Sequence, residues 1–143
     1  MDMETVLLVD DDAQVLAIVR KMLEGYQILS ARSAEEAVRV AMRHDGVIHL
    51  LLTDIVMPGT NGRELAQQLS LQRPDMKVLF MTAFRPGQRE QQYSDATAAS
   101  EADDAVILKP FTGERLNEKV RETLTVRPPP SPFDHPPDPW RNV

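Results

Sequence analysis

Short apolar segments alternate along the chain with longer amphipathic ones. The apolar segments are short enough to be buried strands rather than helices. We predict five strands: Thr5–Val9, Tyr26–Ala31, Ile48–Thr53, Lys77–Thr82 and Ala105–Leu108. Strands that alternate with helices are typical of an open parallel sheet covered on both faces, and the almost wholly apolar third strand fits its centre.

The segments between these strands carry apolar residues at helical spacing. Asp12 and Thr112 stand where N-cap residues are expected, and Ser33 with Glu36 forms a capping-box pattern. These signals predict helices over Ala13–Leu23, from Ala34 to Ala41, over Arg63–Leu71, and from the Thr112 cap to Leu124.

Two segments depart from this alternation. Residues 83–104 should hold a helix before the fifth strand, but Pro86-Gly87 and a small polar run predict a shortened or irregular helix with a long loop. Seven of the eleven prolines lie in residues 128–139, so we predict an extended or disordered tail over 126–143. The predicted domain therefore spans residues 4–125.

The composition excludes several classes of protein. The 143 residues suffice for one domain with a real core. The net charge of −6 opposes nucleic-acid binding, which requires cations to neutralise phosphates. No apolar run approaches the roughly 20 residues of a membrane span, and the acidic start of the chain does not resemble a secretory signal. The absence of cysteine excludes thiolate metal sites and fits a reducing cytoplasm.

Charged side chains follow three of the predicted strands at the point where each ends. Asp10, Asp11 and Asp12 follow the first strand, Asp54 follows the third, and Lys109 follows the fifth. In open parallel sheets the ligand site lies beyond the carboxyl ends of the strands, so we expect these side chains to lie together. Acids at two strand ends and an amine at a third predict a metal and phosphoryl site.

Each of these residues also has a purely structural explanation. The acids after the first strand suit a helix N-terminus, and we assign Asp12 to capping rather than to metal binding. Taken alone, Asp54 would be an ordinary turn acid, Thr82 a β-branched strand residue, and Lys109 a surface lysine before a helix start at Pro110. Their combination at successive strand ends favours the functional interpretation.

Four motifs in order give the chain a family resemblance. They are the acidic pair Asp10-Asp11, the pattern Asp-x-x-Met-Pro-x-x-x-Gly at 54–62, Thr82-Ala83, and Lys109-Pro110-Phe111. Over residues 4–125 the chain resembles response-regulator receiver domains, the phosphorylated half of bacterial two-component signalling. The resemblance implies a flavodoxin-like parallel sheet in the order 2-1-3-4-5 with helices on both faces. It also implies a cis peptide bond between Lys109 and Pro110.

The resemblance further implies a role for each site residue. Asp54 would accept a phosphoryl group from a phosphohistidine, Lys109 would pair with one phosphoryl oxygen, and the Thr82 hydroxyl would bond to another. The implied cofactor is Mg²⁺, with Mn²⁺ as a substitute, because hard cations take oxygen ligands. Its implied ligands are the carboxylates of Asp10 (through a water), Asp11 and Asp54, and the backbone carbonyl of Val56.

The resemblance implies a signalling switch with weak self-catalysis, not a metabolic enzyme. Its expected partners are a histidine kinase or phosphotransfer protein and an output protein that the sequence does not identify, with no nucleic acid or membrane. A homodimer through the face of residues 84–125 is also compatible with it. We expect a cytoplasmic protein with no DNA-binding segment after residue 125, either a stand-alone regulator or part of a longer chain.

One position departs from the family pattern, and two other functions stay open. Receivers usually carry Tyr or Phe three residues before the lysine, where this chain has Val106, which has no ring to relocate. The main alternative function is a phosphorylation-independent interaction module, although the motif residues are intact. A Mg²⁺-dependent aspartyl phosphatase of the haloacid-dehalogenase-like kind would want a second acid two residues after the nucleophile, where Asp54 is followed by Val56.

Overall fold

The computed structural model describes residues 3–83 and 105–125. Within them, five strands and four helices follow one another. The strands are β1 (Thr5–Val9), β2 (Gln27–Ala31), β3 (Leu50–Asp54), β4 (Lys77–Ala83) and β5 (Ala105–Lys109). The helices are α1 (Ala13–Met22), α2 (Ala34–Arg43), α3 (Gly62–Gln72) and α4 (Gly113–Thr125). The predicted short helix within 83–104 and the predicted tail over 126–143 lie outside the described residues.

The strands form one parallel sheet in the order β2-β1-β3-β4-β5. This confirms the predicted architecture, with β3 as the middle strand of the five. β3 begins at Leu50, two residues later than predicted, and runs through Asp54. The candidate nucleophile is therefore the last residue of the central strand, held by the ladder rather than by a turn.

Helices cover both faces of the sheet, and the alternation of side chains along each strand divides the core in two. On one face, Leu51 and Phe80 pack with buried residues of α2 and α3. On the other face, Leu52 and Ile107 pack with buried residues of α1 and α4. Burial of a large aliphatic side chain contributes roughly 1.5–3 kcal/mol, so these two layers supply most of the stabilisation. None of the described helices is long and apolar enough to cross a bilayer.

The predicted caps hold the helix starts in place beside the carboxyl edge of the sheet. The Asp12 side chain accepts a hydrogen bond from the backbone of Gln14, as predicted for a cap of α1. Ser33 caps α2 in the same way, but the Glu36 carboxylate accepts its bond from the N–H of Arg32, 2.8 Å away, instead of Ser33. The capping box is therefore displaced by one residue, with both donors still satisfied.

Candidate functional site

Strand alternation brings three charged side chains to one face of the sheet. Val6 and Leu8 of β1 belong to the core layer under α1 and α4, and Asp10 continues the same alternation. Leu50 and Leu52 place Asp54 on that face, and Ile107 does the same for Lys109. The parallel register aligns the ends of these strands, so all three side chains meet at the carboxyl edge between α1 and α4.

The ammonium group of Lys109 joins the two carboxylates. Its Nζ lies 2.9 Å from Asp10 Oδ2 and 3.3 Å from Asp54 Oδ2. The Asp10 side chain is only 1% exposed, whereas those of Asp54 and Lys109 keep 13% and 21% of their surface in contact with solvent. The peptide bond between Lys109 and Pro110 is cis, as the resemblance implied. The site therefore has a buried ion pair at its base and a carboxylate open to a ligand above it.

The electrostatic balance differs between the acid and the amine. Burial raises the pKa of Asp54, and Asp10 adds to this, while Lys109 and a hydrogen bond from the Val56 backbone act in the opposite direction. Burial by itself lowers the pKa of Lys109, but its hydrogen bond to Asp10 and the charge of Asp54 outweigh this, so that pKa is raised. Lys109 therefore stays charged at neutral pH and partly offsets the charge of the carboxylates.

Three acids form a candidate metal site at the same edge. Asp10, Asp11 and Asp54 each offer a carboxylate oxygen, and these oxygens lie within 4.8 Å of one another. Asp10 Oδ1 accepts the backbone N–H of Asp12 at 2.9 Å, which fixes its orientation, whereas Asp11 is exposed. Oxygen donors of this kind and spacing suit Mg²⁺, Mn²⁺ or Ca²⁺ and would not select a soft metal. The residues fit a hard divalent cation.

The loop after Asp54 is fixed against the strand end. The backbone N–H of Val56 donates to the Asp54 carboxylate, and the N–H of Gly62 donates to the Ile55 carbonyl at 2.7 Å. A Cβ at position 62 would overlap the carbonyl oxygen of Asp54, so only glycine allows this close approach. Gly59 adopts a φ of 84°, which glycine reaches without strain. The motif from Asp54 to Gly62 therefore serves to hold the acid in place.

Two residues predicted for the site or its readout lie on the other face. Thr82 follows Phe80 in the alternation along β4, and Phe80 belongs to the core layer under α2 and α3. Thr82 is half-buried, one residue beyond Met81, which is the register partner of Asp54. Val106 lies in register with Phe80 and packs on the same layer. Thr82 thus borders the site from the neighbouring strand and is not part of the group around Lys109.

Two arginine contacts near the site were not predicted from the sequence. Arg32, at the end of β2, donates from Nη2 to the Asp11 carbonyl at 3.2 Å. The guanidinium of Arg63 lies over the ring of Phe80, 5.1 Å from Cζ to the centroid. Neither follows from helix or strand periodicity, because each joins residues from different elements. The only sequence signal was a long cation next to a motif residue, which is too common to be informative.

A parallel doubly wound sheet with acids and a lysine at its carboxyl edge is typical of α/β proteins that bind ligands at that edge. A family model described as the response regulator receiver domain matches residues 6–121. The chain therefore belongs to the response regulator receiver family and is a receiver domain of two-component signalling. Domains of this family are signalling modules rather than metabolic enzymes, and histidine kinases are the partners of the family.

Individual relatives agree with this assignment. The response regulator SaeR of Staphylococcus aureus strain USA300 is 26% identical over 125 residues, which are 86% of this chain and 51% of SaeR. The chain thus spans about half the length of the curated relatives that it matches. A CheY-like receiver domain protein from Methanospirillum hungatei JF-1 is 31% identical with a TM-score of 0.69, over 86% of this chain and 94% of that one. The receiver domain of the hybrid histidine kinase CckA is 26% identical with a TM-score of 0.66, over 85% and 99% of the two chains.

Proposed function

We propose that Asp54 is the phosphoacceptor of this receiver domain. The observation that carries the proposal is the position of Lys109 Nζ, 3.3 Å from the Asp54 carboxylate and 2.9 Å from that of Asp10. A carboxylate that attacks an anionic phosphoryl group meets electrostatic repulsion, and a fixed ammonium beside it reduces this repulsion. Asp54 also retains access to solvent, which a nucleophile requires.

The proposed reaction is the transfer of a phosphoryl group from a phosphohistidine to Asp54. An Oδ atom of Asp54 forms a bond to phosphorus while the P–N bond of the donor breaks, and the electron pair of that bond stays on the imidazole nitrogen. Lys109 neutralises charge on the transferred group, and the Val56 N–H orients the carboxylate by a hydrogen bond. Positioning and charge neutralisation then account for most of the rate.

We infer that Mg²⁺ is the cofactor and that Mn²⁺ substitutes for it. Asp11 and Asp54 would be direct ligands, Asp10 would act through a water, and the Val56 carbonyl would complete the protein ligands. Bound there, the cation supplies positive charge to phosphoryl oxygens. The spacing of the three carboxylates supports this set. The proposal for Thr82 is that its hydroxyl bonds to a phosphoryl oxygen from the neighbouring strand.

The proposal also includes the binding partners of the domain and its limits in the chain. The direct partner would be a histidine kinase or a phosphotransfer protein with an exposed phosphohistidine. The output partner is a protein whose binding changes with the phosphorylation of Asp54, and a homodimer through the face of residues 84–125 is one form of output. The receiver domain would span residues 4–125, with residues 126–143 as a separate Pro-rich tail.

Mass spectrometry after treatment with acetyl phosphate and Mg²⁺ tests the proposal. The wild type should gain one phosphoryl group, and fragmentation should locate it on Asp54. Asp54→Asn should gain none, and Asp45→Asn, which alters an exposed acid at the other end of the sheet, should be labelled like the wild type. Chelation of the metal should prevent labelling.

The same experiment separates the two alternatives. A phosphorylation-independent interaction module would show no labelling of the wild type. An aspartyl phosphatase would turn over a small phosphate ester rapidly and many times, whereas the receiver should release inorganic phosphate from a phosphodonor that it accepts only at the slow rate of its own dephosphorylation. Labelling of a residue other than Asp54 would also contradict the proposal.

A further inference from the structure

The contact between Arg63 and Phe80 is partly buried, because Arg63 is half-buried and Phe80 belongs to the core. The guanidinium Cζ is 5.1 Å from the ring centroid, and the Nε and Nη2 atoms are shielded from solvent. Phe80 itself is only 3% exposed. A cation over an aromatic face within about 6 Å is attracted by the ring quadrupole, and more strongly where water is excluded. The contact therefore joins the first turn of α3 to β4.

The backbone of Arg63 is tied to Asp54. Gly62, the preceding residue, lies so close to Asp54 that a side chain at position 62 would overlap the Asp54 carbonyl. The N–H of Arg63 donates to the Asn61 side chain at 2.6 Å, and Asn61 forms a bridge with Val56. Because Gly62 is in close backbone contact with Asp54 and Asn61 caps α3, a displacement of the strand end at Asp54 would be passed to the start of α3.

Phe80 connects this helix start to the strands next to the site. It lies in register with Thr53 of β3 on one side and with Val106 of β5 on the other. Thr82 follows two residues later on the same face of β4. A strand within a sheet moves with its neighbours, so a shift of the Phe80 ring is shared with the backbone that carries Thr82 and with β5.

We propose that Arg63 is a positioning residue that couples the state of Asp54 to strands β4 and β5 through its contact with Phe80, an inference that rests on the proposed function of Asp54. The two sites of this coupling are the Asp54 carboxylate and the face of β4 and β5 formed by Phe80, Thr82 and Val106. By linkage, a residue that biases the strands between two arrangements must also change the affinity of Asp54 for a phosphoryl group. This affinity is measurable with beryllofluoride, a phosphoryl mimic.

The test measures beryllofluoride affinity of the full chain by titration calorimetry at saturating Mg²⁺. Arg63→Met, which keeps an unbranched apolar stem and removes the charged guanidinium, should change the dissociation constant by about fivefold or more, the lower limit of typical coupling. Arg63→Lys keeps a cation and should stay within about fivefold of the wild type. Arg39→Met, which alters an exposed arginine of α2, is the matched control and should have no effect.

A second variant tests whether Arg63 acts through the ring of Phe80. Phe80→Leu removes the aromatic face and keeps a buried apolar side chain. In this background Arg63→Met should change the affinity by less than about fivefold, because the two residues act as a pair. The full Arg63→Met effect in both backgrounds would overturn the proposal. If Phe80→Leu does not fold, the comparison of Arg63→Met with Arg63→Lys and Arg39→Met still decides the question.

The outcomes distinguish this inference from the proposed function. A wild type that neither binds beryllofluoride nor labels on Asp54 would overturn the proposed function and the coupling with it. A wild type that binds beryllofluoride with the same affinity as Arg63→Met would overturn the coupling alone. If Arg63→Lys changed the beryllofluoride affinity as much as Arg63→Met, the cation over the ring would not be responsible, and the proposed coupling would be overturned.

Discussion

The amino-terminal edge of the sheet pairs its polar groups with neutral partners, whereas the carboxyl-terminal edge places two carboxylates against one ammonium group. At the amino edge, the imidazole Nδ1 of His49 accepts the Thr5 N–H at 2.9 Å, and the Thr5 hydroxyl donates to Gln27. At the carboxyl edge, Lys109 is shared between Asp10 and Asp54. The first arrangement satisfies each group and stabilises the fold, because buried donors find acceptors without charge repulsion.

At the carboxyl edge, burial of the Asp54 carboxylate lowers stability. Burial raises the pKa of Asp54, which means that its ionised form costs free energy in the folded state. Groups with a shifted pKa are concentrated at functional sites, because the same desolvation that costs stability strengthens interactions with a ligand. Mutations at the two edges of the sheet should therefore differ in how they change stability and the labelling of Asp54.

The largest effect is expected for Lys109→Met. It removes the cation 2.9 Å from the buried Asp10 carboxylate and leaves that charge without its partner. The free energy of unfolding at neutral pH should fall by about 3 kcal/mol, the lower end for a broken buried pair, and labelling of Asp54 should be lost. Arg115→Met is the control, because its exposed pair with Glu118 at 3.5 Å should be worth less than about 0.5 kcal/mol. Equal losses in urea denaturation would contradict the comparison.

Gly62→Ala should have the next largest effect. The added methyl group meets backbone atoms of Asp54 and Ile55, which cannot rotate away as a side chain would. We expect a loss of about 2 kcal/mol from overpacking and slower labelling of Asp54, measured by urea denaturation and mass spectrometry. Gly25→Ala provides the control, because a Cβ at that position meets nothing within 4 Å. A Gly62→Ala protein as stable and as reactive as the control would show that the loop is not fixed in this way.

At the amino edge, Arg73→Met should reduce stability without altering the chemistry. The Arg73 guanidinium donates to the carbonyls of Ala41, His44 and Gly46, which end α2 and the following turn. Loss of these charged hydrogen bonds should cost about 1.5 kcal/mol. The labelling rate of Asp54 should not change, because this edge lies across the length of the sheet. If Arg73→Met slowed the labelling of Asp54 as much as it lowered stability, the two edges would not differ as proposed. Arg43→Met, which alters an exposed arginine, is the control.

The smallest change in the free energy of unfolding is expected for Asp54→Asn, and this change is an increase. The pKa of Asp54 is raised above 3.8 in the folded protein, so the folded state holds the proton more firmly than the unfolded state. The stability contribution of this carboxyl is therefore lost as pH rises through the window above 3.8. At neutral pH, Asp54→Asn should be more stable than the wild type by about 0.5 kcal/mol, a value discounted for solvent exposure.

Urea denaturation from about pH 4 to pH 7 measures this difference. The advantage of Asp54→Asn should shrink as the pH falls toward the ordinary pKa of a carboxyl group. A constant advantage across the range would mean that the amide stabilises by some other contact. A loss of stability at neutral pH would mean that the Lys109 ion pair outweighs the burial of the carboxylate.

The periodicity of the sequence was sufficient for most of the fold. Every described strand and helix was predicted, because apolar alternation and helical spacing are local properties of the chain. The predicted start of β3 was two residues too early, because Ile48 is buried without belonging to the strand. Asn61, which caps α3 through the N–H of Arg63, was not predicted, because the turn before it obscures where the helix begins.

The sequence by itself determined which residues end the strands, and therefore that Asp10, Asp54 and Lys109 share one edge of the sheet. Only the tertiary structure decided that Lys109 lies between the two acids and that Arg63 covers Phe80. The physical reason is the distance along the chain over which each interaction acts. Local alternation fixes the face and the edge of a side chain, whereas its partner depends on strand order and on the packing of helices distant in the chain.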